Sequence, residues 1–114
     1  MVKVILGYQI EPGLTAQEYD RWLYDIHVPD LLANPHLRKI VFNTVIRMLR
    51  GDQDYYRIAE LHYDDQASYE RARAWSEANP VPPERGAQGR THFLFTCLCD
   101  AVEIEAAVSQ PAGS

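Results

Sequence analysis

His27 is the side chain in this sequence best suited to moving a proton. An imidazole changes charge near neutral pH, so a positioned histidine serves as general base or acid there. His27 follows Tyr19, Trp22, Leu23 and Ile26 at helical spacing, close to where the helix is expected to end. The helix dipole there favours the protonated ring, and a ring bonded to a terminal carbonyl is the plainer role for such a residue. His36 lies in a loop, His62 at the end of a strand and His92 at the start of another, a scatter unlike zinc-ligand spacing. Tyr8 follows Gly7 within an apolar segment, where backbone or a ligand can approach closely and the phenol can donate to it, although a core tyrosine is the more usual role.

A second group comes from a hairpin. Residues 37–50 and 55–63 are rich in β-branched and apolar side chains, and Gly51-Asp52 reads as a two-residue turn between them. That turn pairs Arg47 with Tyr56, Val45 with Ile58, Asn43 with Glu60 and Val41 with His62. Strand alternation puts these on one face, with Ile40, Phe42 and Thr44 on the other against Arg57, Ala59 and Leu61. A face mixing apolar and hydrogen-bonding groups suits a small-molecule pocket, and equally a solvated or subunit-contacting surface. Arg47 has the fork geometry to hold a carboxylate.

These residues need elements to position them. Residues 2–10 read as a strand closed by Glu11-Pro12-Gly13. Thr15 and Glu18 form a capping box that opens a helix, which Pro29 should end or kink near Val28. A second helix starts at Asp64 or Asp65 and runs to about Ala78, with Tyr69, Ala72 and Trp75 or Ser76 inward. Residues 79–90 hold three prolines and two glycines, long enough for a lid or a dimer arm. Residues 91–104 read as the last strand, and 106–114 as a flexible tail. The order β-α-β-β-α-β over residues 1–105 predicts an α+β ferredoxin-like sandwich. Helices cover one sheet face only, so the apolar groups on the other call for a partner, and two such sheets close into a barrel.

The 114 residues are 46% hydrophobic and 24% charged, which describes one globular domain. A net charge of -5 with no basic cluster argues against nucleic acid and anionic membranes as partners. No apolar run is long enough to span a bilayer, and Met1 to Ile10 lacks the features of a secretory signal, so a cytoplasmic location is expected. Cys97 and Cys99, two apart on a strand, read as small core residues in a reducing compartment. No phosphate-binding glycine loop, nucleophile elbow or Cys/His pair occurs.

The stretch from Tyr19 through Trp22 to His27-Val-Pro29, followed by Asn34-Pro35-His36-Leu37, resembles the dimeric α/β-barrel superfamily in its EthD-like branch. Within that branch it is most similar to RedY-like proteins of prodigiosin and bisindole gene clusters. His36 stands where a glycine is usual. The resemblance covers about residues 2–104. It implies a homodimer, a pocket between sheet and helices, and chemistry without metal, flavin or haem. It also implies that His27 is catalytic or orients the substrate. On that basis the expected function is cofactor-independent cyclisation or rearrangement of an aromatic indole- or pyrrole-type imine. His27 would be the proton shuttle, with Tyr8, Asn43, Arg47, Tyr56 and Glu60 binding substrate. A cofactor-free monooxygenase and a non-catalytic binding protein, haem-carrying or not, are the alternatives.

Overall fold

A computed structural model of the chain describes residues 1–107. Strand β1 (Val2–Ile10) places Val2, Val4 and Tyr8 in the core, as period-two alternation requires. Helix α1 (Ala16–Trp22) opens on the expected capping box. The Thr15 hydroxyl accepts from the Glu18 N–H at 3.1 Å, and the Glu18 carboxylate accepts from the Thr15 N–H at 3.3 Å.

Pro29 does not end this helix. A π-helical turn spans Leu23–His27, with the Val28 N–H donating to the Leu23 carbonyl five residues back, and α2 (Val28–Leu32) continues from it. The wide turn puts Pro29 in the first turn of α2, where its missing N–H is tolerated. His27 therefore sits inside a helix rather than at its terminus.

The hairpin departs from expectation more strongly. Strands β2 (Lys39–Thr44) and β3 (Arg57–Tyr63) are joined by a loop over 45–56 instead of a two-residue turn. Asn43 pairs with Ile58 and Val41 with Glu60, two residues from the expected register. A slip of two preserves faces, where a slip of one would have exchanged them. Alternation fails just before β3. The Tyr56 phenol turns to α1 and donates to Asp20 at 2.9 Å, while Tyr55 packs edge-on against Phe95 at 5.6 Å.

Asp65 caps α3 (Gln66–Ala78) by accepting from the Ser68 N–H at 2.7 Å, and Ser68 and Ala72 are buried with Tyr69 and Trp75 partly so. Strand β4 (Thr91–Asp100) ends four residues short of expectation. Its pairing with β1 runs out at Val2 opposite Asp100, followed by the Ala101 N–H bond to the Met1 carbonyl. Of the expected tail over 106–114, residues 108–114 lie outside the described residues.

All pairings are antiparallel, in the order β2-β3-β1-β4. The architecture is the α+β ferredoxin-like one. The core joins Tyr8, Tyr19, Trp22, Leu23 and Ala59, with a second cluster of Val4, Tyr63 and Ala72 under α3. The helix-free face carries Ile5, Gly7, Val41, Ile58, Phe95, Cys97 and Cys99. The two thiols lie there at 3.7 Å rather than in the core expected for them, because the strand directs both outward.

Gly7 lies at a β-bulge where β1 and β4 shift register. A Cβ there would come within 2.3 Å of the Phe95 ring and 2.8 Å of Tyr55. Gly7→Val is expected to destabilise the fold by about 1–3 kcal/mol through this overpacking. Thermal denaturation would check it, and an unmoved midpoint would show that the two rings simply swing aside.

Candidate functional site: the His27 stack and an adjoining cavity

The His27 ring stacks on Trp22, with centroids 4.7 Å apart and planes 21° from parallel. Trp22 is fixed in turn, its indole N–H donating to the Arg85 carbonyl at 3.0 Å and its ring lying 5.2 Å from the Arg90 guanidinium. The His27 Nδ1 is buried and has no hydrogen-bond partner, so it does not cap a helix end. Burial pulls its pKa below the ordinary histidine value. The Arg90 charge adds to that, and the Asp30 carboxylate opposes it. The ring is therefore neutral at physiological pH, the reverse of what a helix terminus would impose.

A depressed folded-state pKa means that the unfolded chain binds the proton more readily. The stability due to His27 is present above the unfolded value of 6.5 and is lost as pH falls through the lower folded value. The melting temperature should fall between about pH 8 and pH 5.5 in the wild type, and less in His27→Gln. Parallel curves for the two proteins would refute a titrating His27.

The expected pocket face divides in three. Tyr8 and Tyr56 lie on the helix side, their rings 6.5 Å apart and both close to Tyr19. The Tyr8 hydroxyl is buried without a partner, and desolvation pushes that phenol above its usual range. Asn43 and Glu60 lie together on the opposite, helix-free face, with the Asn43 amide donating to the carboxylate at 2.8 Å. Lys3 at 3.1 Å and His62 at 3.0 Å complete that cluster, and the Asn43 bond leads these contacts in holding Glu60 below the usual carboxylate range. Arg47 is exposed in the 45–56 loop. The Tyr56 reversal and the long loop cause the division.

A cavity of about 400 Å³ opens between α2, α3 and β3, and none of the expected site residues lines it. Leu31, Leu37, Leu61, Tyr63 and Trp75 form much of its wall, with prolines of the segment after α3. His27 lies one helical turn, about 5.4 Å of rise, before Leu31. Asn34 builds the cavity. Its amide donates to the Ala72 carbonyl at 2.9 Å and to the Ser76 hydroxyl at 3.2 Å, tying the end of α2 to α3. Asn34-Pro35 and Asn79-Pro80 following Trp75 were the available sequence signals, but as separate loop and core features they gave no reason to place them together.

The 79–90 segment lies as a strap against α1 and α2 of the same chain. Arg85 grips Asp30 with two bonds, at 3.0 and 2.9 Å, while Arg90 donates to the Gly86 and Glu84 carbonyls. Among the described residues, no helix is long and apolar enough to cross a membrane, and no three His, Cys, Asp or Glu side chains gather as a metal site would need.

The element order and sheet topology define a ferredoxin-like α+β protein, and solved structures share this arrangement. HapK from Hahella chejuensis superposes with a TM-score of 0.61 at 10% identity, over 96% of this chain and 100% of its own. An ethyl tert-butyl ether degradation (EthD) family protein from Bacillus halodurans gives 0.59 at 20% identity, over 90% and 99%. An Arabidopsis thaliana protein gives 0.64 at 12% identity, over 95% and 100%. At such identities the likeness is one of fold. No family model and no curated protein sequence matches the chain.

Proposed function

We propose that this protein is a small tailoring enzyme of bacterial secondary metabolism that works as a homodimer without metal, flavin or haem. Its substrate is an aromatic, nitrogen-containing intermediate of the indole or pyrrole imine type, guided through a proton-transfer-assisted cyclisation or rearrangement. The observation that carries the reading is an imidazole with a buried nitrogen that has no partner, one helical turn in sequence before the wall of an apolar cavity of ligand size. Trp75 and Tyr63 supply flat surfaces for an aromatic ring. His27 takes up the proton that ring closure releases, and the strap over Trp22 keeps water from the reacting atoms. RedY-like kinship remains part of this proposal and rests on the helix motif.

The homodimer follows from the helix-free sheet face, whose apolar side chains a second copy would cover. Ile46 and Leu49 in the 45–56 loop, 96% and 85% exposed, and Val102 and Ile104 after β4, 81% and 90% exposed, are further apolar side chains that a partner could cover. Native mass spectrometry should give the mass of two bare chains.

Turnover of indole- and pyrrole-derived imines by the purified protein tests the reaction, with folded His27→Gln as the control. Undiminished turnover in that variant removes His27 from the mechanism. Oxygen consumed with substrate would instead mark a cofactor-free monooxygenase. A second reading, a protein that shields a reactive intermediate without transforming it, is favoured by one observation: His27 does not line the cavity. Tight binding with no change in rate would decide for that reading.

A further inference from the structure

The cavity is electrically one-sided. Asp30 is the only charged side chain among the described residues that line it, and no lysine, arginine or histidine faces it. Both N–H groups of the Asn34 amide are engaged, with the Ala72 carbonyl and Ser76, and the Asn79 amide donates to the Trp75 carbonyl. The Asn34 carbonyl oxygen accepts from the His36 N–H at 3.0 Å. A bound carboxylate would find no counter-ion in the wall and would lie beside another carboxylate.

Asp30 does have a partner, but one outside the cavity. Arg85 reaches it from the strap, with a side chain 44% exposed against 20% for Asp30. Exposed ion pairs hold weakly, whereas a cation brought into an apolar cavity gains from the same carboxylate and from the Trp75 and Tyr63 rings. We infer that the cavity takes a flat aromatic ligand carrying a cationic nitrogen, a protonated amine or imine, which replaces Arg85 on Asp30. This rests on the proposed function only in taking the cavity as the ligand site. It gives that site a charge preference and gives Arg85 the role of a resident competitor.

Three probes of like shape and different charge test it: naphthylmethylamine, methylnaphthalene and naphthoate, titrated into the wild-type protein by tryptophan fluorescence or calorimetry. The amine should bind about tenfold more tightly than the neutral hydrocarbon, and the carboxylate more weakly than either. Arg85→Gln should tighten the amine several-fold, about threefold or more, and leave methylnaphthalene unchanged. Asp30→Asn should erase the charge order while methylnaphthalene still binds. Binding of all three without that order, tightest binding of naphthoate, or weaker amine binding in Arg85→Gln would overturn the inference and leave the cavity as a ligand site. Failure of every probe to bind would remove both.

Discussion

Asp20→Ala should cost the protein about 3 kcal/mol of stability and lower its melting temperature by on the order of 10 °C. The reason is Arg57, whose residue is 5% exposed and whose charge is matched by the Asp20 carboxylate through two guanidinium contacts. Thr44 accepts from the same guanidinium at 2.8 Å, and the Tyr56 ring lies 4.5 Å from it, but neither is an anion. Removing Asp20 strands a buried cation and deprives the Tyr56 phenol of its acceptor. The partial exposure of Asp20, 30%, admits some water and keeps the cost at the low end for buried pairs. The change cannot act through the helix itself, since alanine is the better helix former. Adding Arg57→Met removes the stranded charge, so the double variant should recover most of the loss. A transition unmoved in Asp20→Ala, or a double variant no better than the single, would refute the account. Acid should act on the same pair. The Arg57 hydrogen bond, more than any other contact, holds the Asp20 carboxyl below 3.8, so the stabilisation is present above that value and fades as pH falls through the lower folded one.

The features legible from sequence were the local and periodic ones. Thr15 with Glu18 marked a helix start because a capping box satisfies two N–H groups within four residues, and Asp65 worked similarly for α3. Alternation placed Asn43 and Glu60 on one face even though their register was two residues off, because faces depend on parity alone. The failures involve forces from outside the segment. Tyr56 leaves its expected face for a carboxylate 36 positions earlier. The π-helical turn lets Pro29 stay within a helix, and no single-residue propensity encodes that. The cavity depends on Asn34 bridging to Ala72 and Ser76, 38 and 42 positions away. Polar bridges of this kind follow no period, so they emerge only when the elements are packed together.

His27→Gln is expected to lower turnover by about 10²–10⁴-fold while leaving the fold intact. Glutamine approximates the size of the imidazole and retains hydrogen-bonding atoms, so it removes chiefly the ability to take up a proton. The pH profile separates this from a merely structural loss. Because burial depresses the His27 pKa below 6.5, wild-type kcat/KM should rise with pH along a limb below that value and level off above it. His27→Gln should lose that limb as well as the rate. A packing role predicts something different: reduced turnover with the limb retained, and a melting temperature lowered by the same amount at every pH. The stability linkage supplies an independent check, since the same neutral ring that accepts the proton in turnover opposes protonation in the resting fold. A variant that gains relative stability in acid and loses the kinetic limb together identifies one titrating group behind both effects. Loss of only one would place the catalytic base elsewhere, and among the buried candidates His62, whose Nδ1 also lacks a partner, would be the next to change.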